Sequence, residues 1–302
     1  MQISTSPQTS VQVKPMKSMS PWAIARRKFV KNKLAMISLF YLIIVAVVSF
    51  LAPYVTTIDI TRINIGEMSL KPSSEHWLGT DKSGRDVFTR LLYGGRVSLL
   101  VGISCTFFVV VLGTIVGSIA GYFGGKIDNM MMRFTDFILN FPFLVFVIVL
   151  GTIFFGKLNG LAVLIIVISA LSWGGVARIV RSKILAEKEN EYILAAVSIG
   201  CSPIKVIGKH LIPNVLSTII VQSTLLFASM IVAESGLSYL GFGVPSEIPS
   251  WGNMLSFARE PDVLQGKPWI WVPPALIITL TILSINFVGE GLKDAFNPRS
   301  RR

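Results

Sequence analysis

Long apolar runs separated by short polar, glycine- and proline-bearing segments set the pattern of this chain. Residues 34–52 carry no charge over 19 positions, close to the roughly 20 that a helix needs to cross a ~30 Å hydrocarbon core. Uncharged runs recur at 97–125, 137–156, 158–177, 211–233 and 268–289. The pattern predicts six crossings, each helical, because irregular backbone facing lipid would leave N–H and C=O groups unpaired. The one long polar interruption in the second half, 191–214 (EYILAAVSIGCSPIKVIGKHLIPN), must emerge into water. Its punctuation spells helix, turn, helix. Ala195-Ala196 is followed by Gly200, which suits the left-handed position after a helix end. Ser202 can cap a second helix by accepting from its free N–H groups, Pro203 fits that helix's first turn, and Pro213 closes the run. Ile204, Ile207 and Leu211 are spaced i, i+3, i+7 and predict one apolar face. Such a hairpin offers a partner protein a small docking knob.

Composition agrees with a membrane protein. The 302 residues are 52% hydrophobic and 15% charged, with a mean hydropathy of +0.66, too apolar for an ordinary soluble domain. The net charge of +12 could suggest nucleic acid, but the basic residues sit at segment ends and not along one patch, so they read as topology and no nucleic-acid partner is expected. With the N-terminus inside, the inner segments hold 19 Lys and Arg and the outer ones 9, which places both termini and the hairpin in the cytoplasm. Residues 1–20, rich in Ser, Gln, Lys and Pro, have almost nothing to bury and read as disordered. A basic run (Arg26, Arg27, Lys28, Lys31, Lys33) then precedes an apolar segment too long and too far from the start for a cleaved signal. The division is a cytoplasmic basic tail (1–33), a first helix (34–52), an extracellular loop (53–96), a core with five crossings (97–290) containing the cytoplasmic loop 183–214, and a cytoplasmic C-terminal tail (291–302). Cys105 lies in an apolar run and Cys201 in the hairpin, so neither a disulfide nor a metal site follows.

Several features are open to chemical misreading. Asp81 and Asp86 in the outer loop resemble a catalytic pair, yet Gly79, Asp81, Ser83 and Gly84 are better read as capped turns before a helix, and the loop is expected to fold on the rim as short helices. Gly113, Gly117 and Gly121 recur every fourth residue and predict close helix packing. Gly151 to Lys157 has P-loop spacing, but Leu158 replaces the magnesium-binding Ser or Thr and no soluble strand precedes it, so no nucleotide site is expected here. Glu234 ends an apolar run; it lines a water-filled path, pairs with a partner, or sits at the interface. Thr218, Gln222 and Ser229 in the same run form a weak polar stripe that either lines a passage or joins helices. With only His76 and His210 and no nucleophile–base pairing, no catalytic residue is assigned.

The hairpin, with its two alanines, three residues, a glycine and a distant proline, resembles the ATPase-coupling loop of permease subunits in bacterial ABC importers. Leu194 departs from the acidic residue common there, though Glu191 keeps a carboxylate nearby, and His210 and Ile212 stand near the family's Ile and Leu. LGTDKSGRDVFTRLLYGGRVSL (78–99), DFILNFPFLVF (136–146), ARIVRSKIL (177–185), GLSYLGFGVPSEIPSWGNML (236–255) and LSINFVGEGLKDAFNPR (283–299) are similar to the peptide-importing branch, in the same order. The resemblance implies an all-α, six-crossing type I ABC importer permease, the C-type member of a pair, that carries dipeptides or oligopeptides. It also implies its partners: a second homologous permease, two ATPase subunits that bind ATP and Mg in place of this chain, an extracellular substrate-binding lipoprotein, and membrane lipid. Glu191, Ala195, Ala196, Gly200, Ser202, Pro203, Ile204, Ile207, His210 and Pro213 would form the coupling loop; Thr218, Gln222, Ser229 and Glu234 are the path candidates. A nickel or other small-solute importer of the same build is the alternative within the family, and a self-sufficient carrier or channel the alternative outside it. The dense membrane carboxylates of a proton-driven carrier and internal inverted repeats are missing.

Overall fold

A computed structural model describes residues 20–60, 63–154 and 160–297, and all long elements among them are helices. The expectation for the N-terminal tail falls outside these residues but for Ser20, and Gly151 to Lys157 is described only as far as Phe154. A short basic helix, α1 (Pro21–Lys31), leads into α2 (Lys33–Phe50), whose start is capped by the Asn32 side chain accepting from the Ala35 N–H at 3.1 Å. α3 (Val87–Phe123) is 37 residues long, about 55 Å. It begins ten residues before its uncharged run, because Asp86 caps it by accepting from the Thr89 N–H at 2.7 Å and its first turns are amphipathic.

The expected third crossing, 137–156, is divided. Its first residues finish α4 (Gly125–Leu139), and α5 (Phe143–Phe154) leaves at 83° after a break at Asn140–Pro142. Pro142 has no N–H to donate and disfavours a helical Phe141 before it, so an apolar run need not be one helix. Twelve residues rise only about 18 Å, too little to cross alone. The direction of the neighbouring helices nonetheless requires a return here. α6 (Gly160–Glu187) meets α3 in rising order: Gly113 against Trp173 and Val176, Gly117 against Ala177 and Val180, Gly121 against Arg181 and Ile184. The two helices therefore run parallel, and α4 with α5 must carry the chain back between them. Among the described residues five helices are long and apolar enough to cross a membrane, or six if the bent pair counts as one span.

The glycine repeat explains how closely α3 and α6 approach. A Cβ on Gly117 would lie 2.4 Å from the Ala177 carbonyl oxygen, and one on Gly121 would lie 2.9 Å from that of Arg181. Backbone packs on backbone, the small-residue mode of helix association in lipid. α6 ends at the hairpin helix α7 (Glu191–Ser198), followed by α8 (Pro203–Leu240), the short α9 (Trp251–Leu255) and α10 (Pro268–Phe296). α10 packs on α2 and α8, and its end meets α1, where Trp22 and Phe296 make an edge-to-face contact at 5.2 Å.

The outer loop departs from the expected short helices. Its described residues form one helical turn, Ala52–Val55, and one 3₁₀ turn, Ile65–Glu67; the rest is organised by Asp81. That carboxylate accepts from the Ser83 N–H at 2.7 Å, the Arg85 N–H at 3.0 Å and the Arg85 guanidinium at 3.0 Å. Gly79 and Gly84 supply the positive φ of the turns, +71° and +73°. Asp86 caps α3 and meets His76 Nδ1 at 2.9 Å, so both aspartates have structural roles.

Candidate functional site

The hairpin is built as its punctuation predicts at the first corner. α7 ends at Ile199 with Gly200 at φ +83°; the Cys201 N–H donates to the Ala196 carbonyl at 3.1 Å and the Gly200 N–H to that of Val197 at 2.9 Å. This pair of bonds is a Schellman closure, which satisfies carbonyls that would otherwise face solvent unpaired. Pro203 starts the next helix as expected. Ser202 does not cap with its side chain; its backbone carbonyl accepts the Val206 N–H at 3.0 Å and its hydroxyl stays at the surface.

The second corner differs from expectation. Pro213 does not close the second helix, which runs on to Leu240 through a π-helical turn at Val206–Leu211. The extra residue per turn rotates the side chains, so the predicted face of Ile204, Ile207 and Leu211 is broken up. Leu211 is buried together with Val206, Ile207 is half-buried, and Ile204 is 85% exposed. Ile193, Val206 and Leu211 pack inward on Val176, Val180, Ile184 and Val215, joining the hairpin to α6 and α8. Ala196 is buried, while Glu191, Ala195 and Gly200 are exposed.

Two polar residues that sequence reasoning passed over hold the base. Tyr192 donates its hydroxyl to the Glu187 carboxylate, and the Asn214 amide donates to the Tyr192 oxygen and to the His210 carbonyl, both at 2.7 Å. Partial burial, then the Glu187 carboxylate, push the Tyr192 phenol above its usual range. His210 enters only through its backbone carbonyl. Lys188, just before α7, donates to the Gly121 carbonyl at 3.3 Å and so ties the hairpin to the end of α3. The base is thus pinned to three helices.

The tip is a different surface. Ile199 (82% exposed) and Ile204 stand out from it, with Leu194, Val197 and Tyr192 also exposed. Apolar side chains clustered on a polar, water-facing loop mark a contact surface.

The path candidates are brought together only in part. Thr218 and Gln222 line a small cleft between α6 and α8, and Ser229 is exposed, its hydroxyl returned to the Leu225 carbonyl. Glu234 is 0% exposed, inside the helix packing, one hydrogen bond behind Ser238, which lines a cavity at the end of α8. Its carboxylate accepts from Ser98 at 2.8 Å, Ser238 at 2.9 Å and Ser235 at 3.3 Å. Those hydroxyls in turn accept from backbone: Ser98 from the Trp251 N–H at 3.2 Å, Ser238 from the Val244 N–H at 3.0 Å. Neither lining nor interface describes it; Glu234 is the centre of a joint between α3, α8 and the segment that follows.

Residues 113–302, which include the hairpin, the α6–α8 core and α10, match the family described as the binding-protein-dependent transport system inner membrane component. The chain belongs to that family. Residues 20–72 match the N-terminal transmembrane domain of oligopeptide transport permease C. The permease is 41% identical over 278 residues to the dipeptide transport system permease protein DppC of Bacillus subtilis, covering 92% of this chain and 86% of that one. It is also 41% identical over 284 residues to the oligopeptide transport system permease protein OppC of Haemophilus influenzae (93% and 90% covered), and 37% over 286 residues to OppC of Bacillus subtilis (95% and 92%). It is therefore a multi-pass membrane permease of a binding-protein-dependent transport system, with an all-helical fold.

Proposed function

We propose that this chain is one of two permease subunits in an ATP-driven importer of short peptides, and that the hairpin tip receives a separate ATPase subunit. The observation that carries the reading is the apolar tip of Ile199 and Ile204, held outward on a base pinned to α3, α6 and α8. An ATPase that closes on nucleotide displaces the tip, and a stiff base passes that displacement to the helices in place of bending. The parallel pair α3 and α6, packed backbone to backbone, moves as one body with it. ATP and Mg bind on the partner, and no covalent chemistry occurs here. The names of the relatives support peptide cargo, delivered by a binding protein on the face opposite the hairpin. The charge asymmetry of 19 to 9 supports a cytoplasmic hairpin and cytoplasmic termini.

The test is uptake of radiolabelled alanine peptides by cells that lack the gene and are complemented with variants. Deletion should abolish uptake. The double variant Ile199→Glu, Ile204→Glu should insert at normal level, because both side chains are exposed and nothing inside depends on them. It should lose uptake and fail to retain the co-expressed ATPase. Normal uptake by a correctly inserted double variant refutes the docking role.

A further inference from the structure

At the end of the molecule opposite the hairpin lies a cavity of about 680 Å³, within the size range of small-molecule sites. α5 and α6 supply an apolar wall that includes Val147 and Val163; the α3 entry and the segment after α8 supply the charged groups. Those groups are Arg85, Arg90, Arg259 and Glu247.

The charges do not balance. Arg90 is 2% exposed, yet its Nε makes no hydrogen bond: the Asp81 carboxylate stands 3.6 Å away, already accepting from Arg85 and from two backbone N–H groups. Among the described residues another of its nitrogens reaches only the Ile60 carbonyl, at 3.4 Å. One carboxylate thus serves two guanidinium groups. Arg259 adds a third cation, held by the Ser256 carbonyl at 3.2 Å and lying 5.8 Å over the Tyr239 ring, with no carboxylate among the described residues. A buried guanidinium without a good acceptor is unfavourable unless an anion completes it. Glu247 is exposed and bonds only weakly to Ser246, at 3.4 Å, so it does not neutralise the set.

We infer that this cavity is a subsite for the carboxylate end of a short peptide, which the arginines engage while the α5–α6 wall covers the adjoining side chain. Guanidinium groups are suited to it: their planar donors match a carboxylate in two parallel bonds. The inference rests on the peptide-import reading and deepens it, giving the permease its own contact with cargo at the end where cargo would enter.

The test uses the purified full-length chain in lipid nanodiscs, with tri-alanine and tri-alanine amide as probes and binding read by saturation-transfer NMR on the alanine methyl groups. The acid should bind about tenfold more tightly than the amide, the effect of losing a charge-assisted pair. Arg259→Gln should erase most of that difference, and Arg259→Lys, which keeps the charge, should retain part of it. Arg259 is exposed, so both variants should insert and melt as wild type. Equal binding of acid and amide, or an acid preference untouched by Arg259→Gln, overturns the subsite. Because cell uptake is measured separately, such a result in a chain that still supports uptake leaves the transport reading standing.

Discussion

The two ends of the permease treat polarity in opposite ways. At the hairpin end, apolar side chains are held out in water: Ile199 and Ile204 project from a turn, and a Cβ on Gly200 would meet nothing within 4 Å. At the far end a carboxylate is enclosed, with three serine hydroxyls donating to it and two of them accepting from the backbone that follows α8. Glycine is used differently as well. Gly252 is small because a Cβ there would lie 2.6 Å from the Ser235 Cα, whereas Gly200 is glycine for its φ of +83° alone. The Glu234 joint finds its donors within the chain, whereas the hairpin tip is a surface whose apolar area is left uncovered.

The largest effect should come from breaking the enclosed joint. Glu234→Leu leaves Ser98 and Ser238 without their acceptor, and each buried hydroxyl left unsatisfied costs about 1–3 kcal/mol. The purified variant should lose much of its thermal stability, and Glu234→Gln, which keeps one acceptor, should lose less; equal melting of Glu234→Leu and wild type would show that the joint contributes nothing. Next is Gly117→Val, which drives a side chain into the Ala177 carbonyl and must part α3 from α6. Overpacking of this kind costs about 1–3 kcal/mol, sometimes more. Its signature is a lowered melting temperature with a sharp fall in uptake, and an unchanged melt would refute the backbone-to-backbone packing.

Legibility from sequence followed the same division. The helix count, the turn at Gly200 and the glycine seam rest on local rules: run length, φ preference and a four-residue repeat. The break at Pro142 was present in the sequence, but run length alone treats 137–156 as one helix. The π turn at Val206–Leu211 was not readable, because it arises when a helix must both accommodate Pro213 and bury Val206 and Leu211 against α6 and α8. Glu234 was singled out as unusual, yet its partners come from sites as distant as Ser98, which spacing cannot reveal. Tyr192 and Asn214 were overlooked for the opposite reason: they lie within the hairpin, where their polarity looked like mere exposure, and only the fold brings them to 2.7 Å. Of the path candidates Thr218 and Gln222 share a cleft while Ser229 and Glu234 lie apart, because a helical wheel ranks residues by angle and says nothing of which neighbour covers each one.

Gly200→Val tests the surface end without touching the core. The left-handed turn would force a β-branched side chain into strain of about 1–3 kcal/mol, confined to the corner, since no neighbouring atom is near. Insertion and global melting should be close to wild type, while the tip is misdirected, ATPase association weakens and uptake is lost. Normal uptake by the inserted variant would mean that the corner closes a helix and does nothing more.

The smallest perturbation probes which side of the membrane each end occupies. In a background where Cys201 is replaced by Ser, with Cys105 left buried, single cysteines are placed at Ser198 and at Ser246. Both serines are exposed, and the single helix Pro203–Leu240 separates them. A serine-to-cysteine change at the surface should alter stability by less than about 0.5 kcal/mol, so any difference in labelling reports access and not damage. An impermeant maleimide added to intact cells should modify the residue at 246 and spare that at 198, while inside-out vesicles should reverse the result. That pattern sets the apolar tip in the cytoplasm, within reach of an ATPase, and the arginine-lined cavity on the side where cargo arrives. Labelling of both positions from one face would mean that α8 does not cross, and the two ends would lose the separation on which the coupling mechanism depends.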